Sequence, residues 1–101
     1  MTGAREVLGF ISNFRGCEEA FTSGCCYWFA YILSGRFPEG QVVLAVQENH
    51  FLTRVGGRLY DVTGDVTELY AGSFVLAWSD MAAYDELQYG RLLRDCVYKS
   101  T

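Results

Sequence analysis

The sequence predicts an α+β fold: a buried, cysteine-bearing central helix packed on a small antiparallel sheet, with flanking N- and C-terminal helices. Three observations predict it. Apolar residues recur at helical spacing near both ends of the chain. The stretch from about 24 to 34 is apolar nearly all the way round, as in a helix packed on several sides. Between that stretch and the last helix lie a β-branched run and two strand-like segments joined by Gly56-Gly57. With 101 residues, 50% of them hydrophobic and 16% aromatic, there is material for one core and not for two. No repeat, low-complexity tract or linker divides the chain, so residues 1–101 read as a single domain.

The first helix is expected over about residues 4 to 14, where Val7, Leu8, Ile11 and Phe14 share a face, with Gly9 weakening it. Arg15 to Thr22 reads as a connection. Thr22 or Ser23 can cap a second helix, whose apolar run from Cys25 to Leu33 ends where Gly35 can take a left-handed conformation. Arg36-Phe37-Pro38-Glu39-Gly40 supplies the reversal into the sheet. Val42, Val43, Leu44 and Val46 suit a central strand, and His50 to Val55 with Arg58 to Val62 suit the arms of a hairpin. Thr63-Gly64-Asp65 ends the second arm. Ser73 to Trp78 is a further strand, and Ser79 or Asp80 caps a last helix through Met81, Tyr84 and Leu87 toward Leu93, with Gly90 as its weak point.

Composition excludes several function classes. The formal net charge is −4, from 12 acidic and 8 basic residues without clustering. Nucleic-acid binding by phosphate neutralisation calls for a basic stripe, and anionic lipid for a polybasic element; neither is present. No stretch nears the ~20 apolar residues that span a bilayer. Met1 to Glu6 holds no basic segment leading into an apolar run, so a cytoplasmic protein with no membrane partner is expected. Cysteines stand at 17, 25, 26 and 96. An adjacent pair bridges only through a strained ring, so reduced thiols are expected. Zinc bound by Cys17, Cys25 or Cys26, Cys96 and His50 lacks any C-x-x-C spacing, so no metal is assigned.

The chemistry is expected from Cys25 or Cys26 with His50 and Asp61. A thiol at a helix start, an imidazole at a strand start and a carboxylate on the next strand make an activated nucleophile. A two-residue turn at Gly56-Gly57 sets Leu52 opposite Asp61 and His50 opposite Thr63. His50 and Asp61 are then diagonal neighbours on one face, about 7–8 Å apart at Cα. A helix N-terminus and a neighbouring imidazole both favour the thiolate, and first-turn amides, that of Cys26 included, can face an oxyanion. No cofactor is needed. Each residue also has a plain structural reading: a core thiol, a structural histidine, a turn-initiating aspartate.

Gly24-x-Cys26-Tyr27-x-Phe29-Ala30 resembles the nucleophile segment of papain-like cysteine proteases. His50-Phe51-Leu52-Thr53 with Leu59-Tyr60-Asp61-Val62-Thr63 resembles the His and Asp strands of transglutaminase-like proteins, which share that core. The resemblance covers residues 24 to 63. It implies a papain-like core and a cysteine hydrolase or acyl-transferase acting on a protein or peptide through an acyl-enzyme. Its register favours Cys26 as nucleophile, with Cys25 the alternative. The oxyanion-hole glutamine of papain-like enzymes is replaced by Ala20, leaving Asn13 or Gln47 as substitutes, and the Asp-Cys-Ser of NlpC-type peptidases is lacking. Only 23 residues separate Cys26 from His50, too few for the substrate-binding insertions of larger relatives. Tyr27 can rim a groove, Asp65 is a second candidate for the acid, and Trp78 either covers the site or plugs the core. The alternative function is a non-catalytic interaction or inhibitor protein on the same scaffold, encoded by a phage or mobile element.

Overall fold

The computed structural model describes residues 3–16 and 26–97. Among them are four α-helices and a five-stranded antiparallel sheet, so the chain is α+β. Helix α1, Ala4–Ile11, tightens to a 3₁₀ turn over Ser12–Phe14, where continuous helix is expected from the spacing. The Ser12 hydroxyl donates to the Gly9 carbonyl at 2.6 Å, a local bond that competes with regular helix. Val7 and Ile11, one turn apart, are buried, and Phe14 meets Phe29 edge-on at 5.2 Å.

Helix α2, Cys26–Arg36, buries Cys26, Phe29, Ala30 and Leu33 on one side. Tyr31 and Ile32 remain exposed, so the helix is not enclosed all the way round as its composition suggests. The expected caps Thr22 and Ser23 lie outside the described residues. Nor does Gly35 close this helix, which runs on to Arg36. The Phe37 amide still donates to the Leu33 carbonyl at 3.2 Å, and Pro38 then has no amide to offer. Gly40 makes the reversal fit: a β-carbon there would stand 2.9 Å from both the Phe37 carbonyl oxygen and the Ser34 Cα.

Strands β1 (Gln41–Ala45), β2 (His50–Val55), β3 (Arg58–Asp61), β4 (Gly64–Asp65) and β5 (Val75–Ala77) lie in the order β4-β3-β2-β1-β5. Gly56 and Gly57 turn with φ of 58° and 81°, the positive angles of a two-residue hairpin. They set Val55 opposite Arg58, Arg54 opposite Leu59 and Thr53 opposite Tyr60, the register expected from the glycine pair. Alternation then divides the side chains between two faces. Phe51, Thr53 and Val55 point at α2, where the Thr53 hydroxyl donates to the Ala30 carbonyl at 3.1 Å, an approach that the small Ala30 permits. Val43, Leu52 and Leu59 point away from α2 and pack with Val66, Tyr70 and Val75. Since β4 and β5 are opposite edges, residues 66–74 cross the sheet on that second face.

The last helix is broken rather than continuous. Trp78–Asp80 form a 3₁₀ turn, α3 covers Met81–Tyr84, α4 covers Glu86–Leu92, and a π-helical turn follows over Leu93–Val97. The break falls at Asp85, which is extended and accepts the Gln88 amide on its side chain at 3.1 Å, a helix N-cap. Gly90, the expected weak point, lies inside α4.

The Gly40 contact is open to test. Gly40→Ala should lower stability by about 1–3 kcal/mol, because a methyl is forced against backbone rather than a side chain able to yield. Urea denaturation should show a lower midpoint at an unchanged slope.

Candidate active site

Cys26 stands in the first described turn of α2, His50 begins β2 and Asp61 ends β3. The start of β2 and the end of β3 are the same end of the sheet. His50 and Asp61 project from the face away from α2, while Cys26 comes from the α2 side, and the three meet at the strand ends. His50 Nε2 lies 3.1 Å from Asp61 Oδ2. With Nε2 held there, Nδ1 is the ring nitrogen left for the thiol.

Asp61 is also the turn residue that its position suggests. Its Oδ1 accepts the Thr63 amide at 2.8 Å and the Thr63 hydroxyl, while Oδ2 is left for the imidazole. The motif recurs at once. Asp61-Val62-Thr63 and Asp65-Val66-Thr67 flank Gly64, which sits at φ 124°, and Asp65 Oδ1 accepts the Thr67 amide at 2.9 Å and its hydroxyl at 2.6 Å. The free oxygen of Asp65 binds Arg58 rather than His50. Asp65 is therefore not the acid of the site. Tyr70, from the segment crossing the sheet, stacks on the imidazole at 6.0 Å between ring centres and 21° between planes.

Charge is matched across the three groups. Burial opposes a Cys26 thiolate. Hydrogen bonding with His50 and with the Phe51 amide, the charge of His50 and the amide of Cys26 itself outweigh it, and the thiol lies below its ordinary pKa. The His50 imidazole is raised to about 9, first by its bond to Asp61 and then by Cys26, against the opposing effect of burial. Burial pushes Asp61 upward as well, but the imidazole and Thr63 bring it below the usual carboxylate range. The arrangement favours a thiolate beside an imidazolium.

The other expected residues do not join this cluster. Asn13 is exposed in the 3₁₀ turn after α1, and Gln47 is exposed between β1 and β2. Neither hydrogen-bonds to Cys26, His50 or Asp61 among the described residues. Tyr27 packs edge-on against Phe51 at 5.1 Å. Trp78, half-buried, lies 4.9 Å from Phe51 and 4.8 Å from Tyr89 and packs against the cluster that contains Cys26. Cys17, Ala20 and Cys25 lie outside the described residues, and Cys96 packs beside the cluster that contains Cys26. Among the described residues no three potential ligands group to hold a metal, and no helix is long and apolar enough to cross a membrane. Sequence reasoning missed Thr63 and Tyr70. The Asp-x-Thr spacing could have pointed to Thr63; nothing local marks Tyr70, which arrives only through the crossing.

A family model described as Phage YunG-like protein matches residues 11–92, a span that includes Cys26, His50 and Asp61. The chain belongs to this family. Its phage association agrees with the expected phage or mobile-element origin. No curated protein and no solved structure matches the chain.

The raised imidazole has a measurable consequence. A basic group whose pKa is raised on folding stabilises the fold in full below its unfolded value, about 6.5, and loses that contribution as pH rises through its folded value. Cys26, shifted down, titrates with the opposite sign, so Cys26→Ala isolates the imidazole. In that background only Asp61 still raises the ring, so the destabilisation caused by His50→Gln, read from urea midpoints, should shrink as pH rises from about 6.5 through a folded value lower than that of the unmodified protein. In the unmodified protein, NMR should place the His50 titration near pH 9.

Proposed function

We propose that this chain is a cysteine-dependent hydrolase or acyl-transferase on a papain-like core. Cys26 is the nucleophile, His50 the general base and acid, and Asp61 the group that orients the imidazole. One observation carries the reading: the imidazole lies between thiol and carboxylate, with the thiol shifted down and the ring up to about 9. A bare structural histidine has no need of this charge pattern, whereas a thiol nucleophile depends on it.

The chemistry follows. The Cys26 thiolate attacks a carbonyl carbon, forming a C–S bond as the carbonyl electrons move to oxygen. First-turn amides of α2, that of Cys26 among them, are the donors closest in sequence to the resulting oxyanion. His50 gives its proton to the leaving amine or thiol, the bond to carbon breaks, and a thioester remains. Water or an acceptor amine then attacks with His50 as base, releasing the acyl group and restoring the thiol. Asp61 keeps the ring oriented and its charged form stable throughout.

The contrary reading is an interaction or inhibitor protein that retains the scaffold. It is favoured by the 6% exposure of Cys26, low for a group that must meet a substrate. Alkylation separates the two. At pH 7 an ordinary thiol is only a few per cent thiolate. Brief iodoacetamide treatment, mapped by mass spectrometry, should label Cys26 about tenfold faster than Cys96, and His50→Ala should remove the excess. Cys26 labelling no faster than Cys96 would leave the binding reading in possession. Cys26→Ala and His50→Ala should each abolish turnover of a substrate while circular dichroism stays unchanged.

A further inference from the structure

The turn that carries His50 is clamped from the C-terminal helix. Gln88 in α4 donates through Nε2 to the Val46 carbonyl at 2.9 Å and to Asn49 Oδ1 at 2.6 Å. Asn49, immediately before His50, holds φ 53°, a left-handed angle that asparagine tolerates better than most residues. Beside this clamp lies a groove of about 290 Å³ lined by Asn49, Gln88, Arg91, Leu92, Asp95 and Cys96. Leu92 and Cys96 belong to the same packed cluster as Cys26. The groove therefore lies against the turn that leads into His50 and against side chains that pack with the cluster containing Cys26.

Its polar groups are unevenly satisfied. Gln88 Nε2 is used twice and its Oε1 is left as an acceptor. Asn49 has Oδ1 engaged, so its Nδ2 donors are fixed in direction and meet no acceptor among the described residues. Asp95 is met by Arg94 at 3.4 Å. Arg91 forms no ion pair or hydrogen bond among the described residues. In a chain of net charge −4, this groove offers a spare cation, a directed amide donor and a single amide acceptor.

We propose that the groove is a substrate subsite for an acidic side chain of a peptide, its carboxylate taken by Arg91 and Asn49 Nδ2 and its backbone N–H by Gln88 Oε1. The proposal rests on the acyl-transfer reading of Cys26 and adds to it the class of substrate.

Two affinity probes of equal shape test it: iodoacetyl-glutamic acid amide and iodoacetyl-glutamine amide. In each the Cys26 thiolate displaces iodide, and plain iodoacetamide reports the thiol alone. The glutamate probe should alkylate Cys26 at least about fivefold faster than the glutamine probe, with saturation, although the net charge of the protein repels it. The preference should fade at high salt. Arg91→Gln should bring the two rates together, and Arg91→Lys should keep part of the preference. Fast iodoacetamide labelling with equal rates for both probes, or a preference that survives Arg91→Gln, would overturn the subsite and leave the reactive thiol standing. Slow iodoacetamide labelling would overturn the reactive thiol, and the subsite with it.

Discussion

The carboxylate of Asp61 is the constraint on which both the local fold and the site depend. One oxygen closes the turn through Thr63, and the other orients His50. Because Oδ1 is spent on backbone geometry, the carboxylate has little freedom to rotate, and Oδ2 meets the imidazole in a direction already set by the chain. A carboxylate fixed in this way loses little conformational entropy on binding the ring. Asp65 provides an internal comparison. The same Asp-Val-Thr turn four residues on offers its spare oxygen to Arg58, since β4 pairs Asp65 with Tyr60 and so sets it on the face opposite to that of His50. The motif supplies a directed carboxylate, and the strand register decides what that carboxylate meets.

Register was also the most legible part of the sequence. Gly56-Gly57 dictates a two-residue turn, that turn dictates pairing, and pairing puts His50 and Asp61 on one face without any tertiary information. Helix ends were less readable, because they are settled by individual hydrogen bonds. Gly35 looks like a terminator, yet the helix continues until Pro38 withholds its amide. Gly90 looks like a break, yet the helix is interrupted earlier, where Asp85 caps the next segment. In both places a specific donor or acceptor outweighed a glycine propensity worth about 1 kcal/mol. Tyr70 was not legible at all. It reaches His50 because β4 and β5 occupy opposite edges of the sheet, and strand order is a property of the whole core.

The position of the cluster at the strand ends reconciles burial with charge. An ion pair in the middle of the sheet would lie between two apolar layers and lose its hydration on every side. Where β2 begins and β3 ends, the thiol meets backbone amides from Phe51 and from its own residue, and the imidazole and carboxylate keep a little solvent contact, 14% and 10% of their side-chain surfaces. Residual solvation and directed amides lower the cost of separating a proton from sulfur, and the apolar surroundings strengthen the attraction that holds the pair together.

Tyr70 adds a second influence on the same ring. Its face lies nearly parallel to the imidazole at 6.0 Å between ring centres, close enough for the aromatic cloud to favour a charged ring. The tyrosine hydroxyl is itself shifted upward, first by burial and then by the negative charges of Asp61, Glu48 and Cys26, so it stays neutral and adds no competing anion. The ring of His50 is therefore held from three directions: at its edge by Asp61, on its face by Tyr70, and through the chain by the turn that Gln88 clamps to α4. Those contacts come from β3, from the crossing segment and from the C-terminal helix, which are far apart in sequence. A change in any of these elements reaches the thiol by altering the imidazole, and the ionisation of Cys26 is thereby tied to the integrity of the sheet and its packing rather than to α2 alone.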